Sequence, residues 1–259
     1  MRFKLQLQVI RKSFGNKLPI NYQYELSAAI YKILSRSDIS FSEWLHENGF
    51  VADNKRFKLF TFSHLIIPHF RIDKEQQRLI LDSDIVEWYI SFLPEKSTQQ
   101  FIEGIFMEQK FQIGDKISVV DFLIKEVQIV SPIKYKQEMC FDSISPICIS
   151  HRVTVDKTDY LHPADPKFSE GLLTGLLARY KALYGKDYNA PISYNFKLLS
   201  TPKSTLVKIK SGTPQQTYVR GYRFKFKISL PEELMKVMYE SGVGEKNSIG
   251  FGMVRSIYL

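Results

Sequence analysis

A glycine-rich loop near the end of the 259-residue sequence has the composition of a phosphate-binding element. Residues 242–252 read Gly-Val-Gly-Glu-Lys-Asn-Ser-Ile-Gly-Phe-Gly. Glycine tolerates positive φ angles, so successive N–H groups in such a loop can point into one concavity and form an anion nest. Lys246, Asn247 and Ser248 add donors at its rim, which favours phosphate as the ligand. The alternative is a purely structural hairpin between a helix and a final strand.

A second chemical signal is an excess of positive charge in one segment. The chain has 36 Lys and Arg against 27 Asp and Glu. Residues 189–230 contain no acidic side chain, and their basic residues are Lys197, Lys203, Lys208, Lys210, Arg220, Arg223, Lys225 and Lys227. Neutralising phosphates releases counterions, so a segment with charge of one sign favours a nucleic acid over a merely solvated face. Aromatic residues interleave with the charges at strand spacing, which argues against a membrane-binding amphipathic helix.

Residues suited to metal or redox chemistry are sparse. Cys140 and Cys148 are the two cysteines, and the absence of a CxxC motif gives no support for a disulfide framework or a zinc site. His64 and His69 flank a proline in a β-like pattern, which does not provide the shared helical face of a metal-binding pair. Acidic residues form no cluster suited to two catalytic metals, and residues 82–84 are typical of a turn. We therefore predict neither a metal nor another cofactor.

The apolar periodicity predicts how the first half presents its polar side chains. Residues 2–10 alternate apolar and polar side chains, as in a half-buried strand. Residues 22–34 form an amphipathic helix, in which Tyr31 lies about 140° from the centre of the apolar stripe and should face solvent or another surface. Residues 40–43 read as a capping box for a second helix, whose last turn holds His46 beside the apolar face.

The order of predicted elements indicates the fold class. Strands over residues 58–63 and 86–92, a helix opened by a capping box at 97–100, and further strands complete the ferredoxin-like order strand, helix, strand, strand, helix, strand. The second half repeats this order, although no sequence repeat between the halves is visible. We predict an α+β protein with two tandem ferredoxin-like (RRM-like) domains and antiparallel sheets, at residues 1–130 and 131–259.

The end of the chain strongly resembles the C-terminal signature of the CRISPR-associated endoribonucleases that process repeat RNA, members of the repeat-associated mysterious protein (RAMP) superfamily. The helix at residues 231–241 and the glycine-rich loop after it carry this resemblance. In the first half it extends to Leu26-Ser-Ala-Ala-Ile-Tyr31, Trp44-Leu-His46-Glu and Lys58-Leu-Phe-Thr-Phe. The resemblance implies tandem ferredoxin-like domains, RNA binding and metal-independent cleavage.

The same resemblance implies that Tyr31, His46 and Lys58 are the catalytic residues. Metal-free RNA cleavage needs a base for the 2'-hydroxyl, an acid for the leaving 5'-oxygen and a cation for the phosphate of the transition state. Histidine ordinarily titrates near pH 6.5 and tyrosine near pH 10, so His46 is the base or the acid, Tyr31 its partner and Lys58 the electrostatic stabiliser. The division between base and acid stays open. Lys55 is an alternative to Lys58, because residues 48–57 are longer than the family pattern.

We therefore expect a metal-independent endoribonuclease that binds CRISPR repeat RNA and cuts the precursor transcript by 2'-hydroxyl attack, giving guide RNAs. The expected partners are repeat RNA and other CRISPR-associated proteins of an effector complex, while homodimerisation stays open. The alternative is a catalytically silent RNA-binding subunit of such a complex. The expected RNA-binding residues are Lys203, Lys208, Lys210, Arg220, Arg223, Lys225, Gly242, Gly244, Lys246, Asn247, Ser248, Gly250 and Gly252.

The sequence shows no signal for a membrane. No apolar run approaches the roughly 20 residues that a membrane helix needs. The alternating pattern of residues 2–10 differs from the unbroken apolar core of a signal peptide. We expect a soluble, cytoplasmic protein.

Overall fold

The computed structural model describes residues 1–154 and 158–258, which form two ferredoxin-like units. The elements of the N-terminal unit are β1 (Arg2–Ile10), α1 (Arg11–Phe14), β2 (Lys17–Pro19), α2 (Gln23–Ser37), α3 (Ile39–Glu47), β3 (Phe50–Ala52), β4 (Lys55–Phe57), β5 (Phe60–Phe62), β6 (Phe70–Asp73), β7 (Arg78–Leu81), β8 (Ile85–Phe92), α4 (Glu95–Met107), β9 (Lys110–Gly114) and β10 (Val119–Ile129). Its main sheet is antiparallel, in the order β5-β8-β1-β10-β9. Apart from the edge strand β9, this is the ferredoxin-like order, with α2 and α4 as its two helices.

The C-terminal unit repeats this topology. Its elements are β11 (Glu138–Ser143), β12 (Ser150–Arg152), β13 (Thr158–Tyr160), α5 (Pro166–Tyr184), β14 (Asn195–Leu198), β15 (Lys203–Ile209), β16 (Thr217–Arg223), β17 (Lys225–Ser229), α6 (Glu232–Ser241), a 3₁₀ helix (Asn247–Ile249) and β18 (Val254–Ile257). The sheet runs β14-β17-β11-β18, again with antiparallel neighbours. The predicted fold class is thus confirmed, while the boundary after residue 130 stays a prediction.

Alternation in the sequence accounts for the central strand of the first sheet. The buried side chains of β1 include Phe3, Leu5 and Leu7, and the polar residues between them are only partly buried. Helix α2 packs Leu26 and Ile30 into the same core. Because these residues define the buried side of α2, its opposite face is left for other contacts.

The hairpin β15–β16 is inserted between the second and third core strands of the C-terminal unit. Val207, Ile209 and Val219 on its inner face pack with Cys148 and Phe251 in a small core of their own. The alternate residues of the hairpin therefore lie on its outer face.

Both predicted capping boxes are wrong. Helix α3 begins at Ile39, because the Asp38 side chain accepts a hydrogen bond from the Phe41 backbone N–H at 2.8 Å. Asp38 thus fulfils the role expected of Ser40. Helix α4 begins at Glu95, directly after Pro94, so Ser97 is a buried residue within its first turn.

The two units are held together by contacts that include a buried arginine. The guanidinium of Arg2 in β1 donates to the carbonyls of Val254 at 2.6 Å and Tyr239 at 2.8 Å. It also lies 3.8 Å from the centre of the Tyr239 ring. Among the described residues, no helix is long and apolar enough to cross a membrane.

Candidate active site

The outward face of α2 forms one wall of a cleft between the two units. Tyr24, Ala28 and Tyr31 follow one another at intervals of four and three residues, so they lie on one side of the helix. The cleft has a volume of about 300 Å³, and its lining residues are Tyr24, Ser27, Ala28, Tyr31, His46, Lys58, Ser248 and Ile249. All three side chains predicted to be catalytic, Tyr31, His46 and Lys58, thus meet at one cleft.

His46 reaches the cleft from the last turn of α3, where the sequence predicts it. Ser42 in α3 donates from Oγ to the backbone carbonyl of Tyr31 at 2.9 Å, which fixes α3 against α2. The rings of Tyr31 and His46 meet edge to face, with their centroids 4.9 Å apart and their planes at 88°. The His46 side chain is exposed, so a substrate in the cleft can reach it.

Lys58 lies in the two-residue link between β4 and β5, not within a strand as the sequence predicts. The strand is interrupted because Leu59 has a φ of 54°, in the left-handed region. Lys58 Nζ donates to the backbone carbonyl of His46 at 2.6 Å. Gly49 makes room for the backbone before Lys58 as well as for its side chain, since a Cβ at that position would lie 2.5 Å from the Phe57 carbonyl oxygen and 3.0 Å from Lys58 Cδ. Burial, together with the positive charge of Arg56, lowers the pKa of Lys58 to about 8.

Tyr31 faces the C-terminal unit, in accord with its position off the apolar stripe of α2. Its ring packs edge to face against Phe60 with a centroid distance of 5.7 Å. Burial raises the pKa of Tyr31 well above its ordinary value, and a hydrogen bond with the Ser248 side chain offsets this rise only in part. The hydroxyl of Tyr31 therefore keeps its proton at neutral pH.

The glycine-rich loop is held in place by the N-terminal unit. Three side chains from α2 and β5 donate to backbone carbonyls of the loop. These hydrogen bonds run from Gln23 Nε2 to the Gly250 carbonyl (2.9 Å), from Ser27 Oγ to the Ser248 carbonyl (2.6 Å) and from Thr61 Oγ1 to the Phe251 carbonyl (2.9 Å). The loop thereby presents Ser248 to the cleft that contains Tyr31.

A buried arginine, which the sequence patterns did not single out, organises the loop from the other side. Arg179 Nη1 in α5 donates to the carbonyls of Gly242 at 2.6 Å and Gly244 at 3.0 Å, and to Asn247 Oδ1 at 2.8 Å. Burial lowers the pKa of Arg179 to about 10, so the group remains charged at neutral pH. One signal was available in the sequence: Arg179 lies three residues after Leu176, on the apolar stripe of its helix.

The glycines of the loop are needed for internal packing. Gly242, Gly244, Gly250 and Gly252 all have positive φ, as predicted. The expectation of a nest is wrong for three of their amides, which donate within the protein: Gly242 to the Met238 carbonyl, Gly250 to the Asn247 carbonyl and Gly252 to the Pro146 carbonyl. The Asn247 side chain is likewise engaged, because its Nδ2 donates to the carbonyls of Val243 and Phe251 at 3.1 Å. This leaves Lys246 and Ser248 as the loop side chains best placed to meet a ligand.

The predicted basic residues lie on or beside the hairpin β15–β16: Lys203, Lys208, Lys210, Arg220, Arg223 and Lys225. Lys203 pairs with Arg223 in the hairpin ladder, and both line a pocket of about 450 Å³. Within residues 1–154 and 158–258, none of the six forms an ion pair with a carboxylate, whereas Lys227 pairs with Glu138 at 2.6 Å. None of the six charges is therefore neutralised in an ion pair with a described residue; Asp142, which lines the same pocket as Lys203 and Arg223, pairs with Arg255 at 2.7 Å.

A larger groove, which no sequence pattern indicated, adjoins the cleft. Its volume is about 900 Å³, and it shares Lys58 and Ser248 with the cleft. Lys55, the alternative catalytic lysine, lines this groove and not the cleft. The other basic residues along the groove are Arg56, His151, Arg152, Lys167, Arg179 and Lys246.

The two histidines predicted to have no shared metal-binding face remain outside the cleft. Burial and the positive charge of Arg223 lower the pKa of His64 to about 4, so this imidazole is neutral at physiological pH. His69 is exposed beside the turn that precedes β8. In the part of the chain that the structure describes, no three His, Cys, Asp or Glu side chains are grouped so as to hold a metal ion.

Comparisons with known proteins extend over nearly the whole chain. Residues 17–128 match the family described as CRISPR-associated protein Cas6, N-terminal, and residues 127–256 match CRISPR associated protein Cas6, C-terminal. CRISPR-associated endoribonuclease Cas6 1 of Methanocaldococcus jannaschii is 31% identical, with coverage of 99% of this chain and 93% of the relative. A putative CRISPR-associated endoribonuclease-like protein Cas6 of Pyrococcus furiosus is 28% identical, with 98% of each covered. A solved structure described as a RAMP protein binding different RNA substrates has a TM-score of 0.80 at 26% identity, with both chains fully covered.

Proposed function

Because the chain belongs to the CRISPR-associated Cas6 family, we propose that it is an endoribonuclease that binds CRISPR repeat RNA and cuts the precursor transcript within the repeats. The products are guide RNAs. One observation carries the proposal: Tyr31, His46 and Lys58 converge on a cleft between the two units. The name of the M. jannaschii relative, an endoribonuclease, supports the same activity.

The reaction is an attack within the RNA strand that uses no metal ion. The 2'-oxygen next to the scissile bond attacks phosphorus as its proton leaves, and the bond from phosphorus to the 5'-oxygen breaks. The leaving oxygen takes up a proton, which gives a 2',3'-cyclic phosphate on one fragment and a 5'-hydroxyl on the other. The chemistry needs two proton transfers and a positive charge at the phosphate, and the cleft holds side chains of these kinds.

The local environments of the three residues support the following division of these roles. Tyr31 is protonated at neutral pH, and burial raises its pKa further, which disfavours a role as base and supports a role as the acid that protonates the leaving oxygen. His46 is exposed beside it and is the base for the 2'-hydroxyl. Lys58, anchored to the His46 carbonyl, stabilises the negative charge of the transition state.

RNA binding is assigned to the basic residues around the cleft. The six cations on and beside the hairpin β15–β16 provide positive charge that is not held in ion pairs with acids of the described residues. Lys246 and Ser248 extend the contact from the glycine-rich loop, and the glycines support it by holding that loop in shape. Other CRISPR-associated proteins, or a second copy of the chain, remain proposed partners.

A catalytically silent RNA-binding subunit is the second candidate. The P. furiosus relative, named endoribonuclease-like, matches nearly as much of the chain, 98%, as the M. jannaschii endoribonuclease does, 99%. Both candidates bind RNA through the same basic residues. They differ only in whether the three residues at the cleft act on it.

Cleavage of a labelled repeat RNA in the presence of EDTA distinguishes the two candidates. We expect one cut, with a 2',3'-cyclic phosphate and a 5'-hydroxyl identified at the ends. A single 2'-deoxy nucleotide just upstream of the cut should stop cleavage and leave binding nearly intact, because the nucleophile is then missing. A requirement for magnesium, or cleavage of the deoxy substrate, would contradict the mechanism; binding without any cleavage would favour the silent subunit.

Two protein variants and a substrate with a modified leaving group distinguish which residue is the acid and which is the base. His46→Ala and Tyr31→Phe should each lower the cleavage rate by ~100- to 10,000-fold, since each removes a proton-transfer group. Sulfur in place of the 5'-bridging oxygen leaves without being protonated. We therefore expect this substrate to restore cleavage by Tyr31→Phe and not by His46→Ala; the reverse pattern would exchange the two roles.

A further inference from the structure

The outer face of the hairpin β15–β16 carries an exposed aromatic ring between basic side chains. Tyr218 pairs with Lys208 in the ladder and retains 49% of its surface, although tyrosines are usually more buried. Lys208 Nζ lies 5.9 Å from the centre of the Tyr218 ring. Leu206 and Arg220 form the next pair on this face, and Leu206 is 52% exposed. An exposed apolar surface flanked by cations therefore extends along the hairpin.

The chemistry of this face fits an unpaired nucleobase. Every base offers a π-face for stacking on an aromatic ring, and the phosphates on either side of it need cations. Lys208 and Arg220 are free of ion pairs to acids in the described residues, and residues 189–230 contain no acid that would repel a phosphate. A base in a double helix is already stacked on its neighbours, so the face suits a single-stranded segment.

The hairpin lies close enough to the cleft for one RNA strand to reach both. The Lys208 backbone N–H donates to Asn21 Oδ1 at 3.3 Å, which places β15 beside the start of α2. From Asn21 to Tyr31 the chain advances ten residues, and from Gln23 onward it lies in α2; at the helical rise of about 1.5 Å per residue, the two positions are on the order of 15 Å apart. Stacked nucleotides cover this distance in four or five steps of about 3.4 Å each.

We propose that Tyr218 stacks on one unpaired base of the repeat RNA, within about five nucleotides of the scissile bond, while Lys208 and Arg220 contact the adjoining phosphates. This inference rests on the proposed function. It adds a base-stacking subsite at a residue that the charge pattern alone does not reveal. The subsite contributes to affinity and to the position of the cut, and it takes no part in the chemical step.

The proposed contact between Tyr218 and one base is tested by a double-mutant cycle, in which protein variants are combined with RNA variants. Affinity is measured with repeat RNAs that carry the blocking 2'-deoxy nucleotide and a single abasic site at each of the five positions on either side of the cut. For the unaltered protein, one abasic position should weaken binding by ~5- to 150-fold. Tyr218→Ala should show the same loss with intact RNA and almost no further loss with that abasic RNA, since both changes remove one contact. Tyr218→Phe should bind like the unaltered protein, because the ring remains.

Phe106→Ala is the matched control, since Phe106 is an exposed aromatic residue of α4 in the other unit and should leave affinity unchanged. Full affinity of Tyr218→Ala, or an undiminished abasic effect in that variant, would overturn the subsite and leave a protein as the occupant of this face. Melting temperatures show that the variants are folded. If the unaltered protein bound no repeat RNA, the proposed function itself would fail; if it bound and cut repeat RNA while Tyr218→Ala matched it, only the stacking subsite would be lost.

Discussion

The ammonium group of Lys58 gives the cleft a positive charge that changes with pH just above neutrality. It is fixed by the His46 carbonyl and partly buried beside Gly49. Burial first, and the charge of Arg56 second, lower its pKa to about 8. The group is therefore positive below pH 8 and loses its charge as the pH rises through that value.

Cleavage should reflect this titration. We expect kcat/KM, which reports the free protein, to fall on the alkaline side with an apparent pKa of about 8. Lys58→Arg should keep activity at higher pH, because a guanidinium stays charged. Lys58→Ala should lower the rate by ~100- to 1,000-fold, as expected when one group that stabilises the transition-state charge is lost. Lys55→Ala is the control and should follow the unaltered protein; an alkaline fall that persists unchanged in Lys58→Arg would assign the titration to another group.

At the scale of single residues, the sequence predicts best where a side chain breaks a local pattern. Tyr31 lies off the apolar stripe of its helix, and the structure places its ring at the cleft. The choice between Lys55 and Lys58 depends on a left-handed residue, Leu59, and on room provided by Gly49. Neither is visible in a pattern of apolar and polar residues.

The glycine-rich loop, residues 242–252, shapes the cleft from the C-terminal side, and little space is left for side chains at its glycines. A Cβ at Gly252 would lie 2.1 Å from the Val243 carbonyl oxygen, and the residue has a φ of 79°. Gly175 lies in the middle of α5, and a methyl group added there would have no heavy atom within 4 Å apart from its chain neighbours and the nearby backbone of the same helix. The two glycines therefore have opposite tolerances for a side chain.

Alanine substitutions at Gly252 and Gly175 should change the stability of the protein in opposite directions, which thermal unfolding measures. Gly252→Ala should lower stability by at least ~1–3 kcal/mol, the cost of a strained backbone, with the steric clash adding to it. Gly175→Ala should raise stability by ~0.5–1 kcal/mol, because alanine favours the helix. For a chain of this size each kcal/mol shifts the melting temperature by about 2–4 °C. Equal melting temperatures for the two variants would contradict the packing described for the loop.

At the scale of elements, periodicity predicts the main helices and the strands of the central sheets, but neither the residues at which the helices begin nor the short strands β2, β3, β4, β6 and β7. Helices α3 and α4 both occur where the sequence predicts helices, yet α3 is capped by Asp38 and α4 starts at Glu95. Serine followed by an acid or amide three residues later also occurs inside a helix. Which polar residue caps the helix is decided by the path of the preceding chain.

At the scale of the whole molecule, RNA binding should be governed by basic side chains that are not held in ion pairs. Replacing both Lys208 and Arg223 by alanine should weaken RNA binding and reduce its salt dependence, by about one unit of slope per lost phosphate contact. Lys227→Ala is the control, since Lys227 already pairs with Glu138. Affinity and slope are measured over a series of salt concentrations. An unchanged slope in the double variant would place the RNA away from the hairpin.

The fold of the whole chain was predictable from the order of its helices and strands. This order is the same in both halves, although their sequences show no visible similarity. Both sheets have the strand order expected of the ferredoxin-like plan. The groove beside the cleft was not predictable, since its basic residues come from β4, β12, α5 and the glycine-rich loop. Residues so far apart in the chain give no local signal of being neighbours.

Five of the hydrogen bonds between the two units have a consequence for how this chain can diverge. Arg2, Gln23, Ser27 and Thr61 all donate from side chains of the N-terminal unit, and every acceptor is a main-chain carbonyl of the C-terminal unit. A carbonyl is present whatever the side chain, so these contacts restrict the amino-acid identity of only one partner. Substitution of the acceptor residues preserves these hydrogen bonds as long as the backbone follows the same path. Substitution of a donor residue removes its hydrogen bond. For these five hydrogen bonds, selection therefore acts on the side chains of the N-terminal unit, whereas the ion pair of Lys181 with Asp53, at 2.9 Å, needs a side chain from each unit.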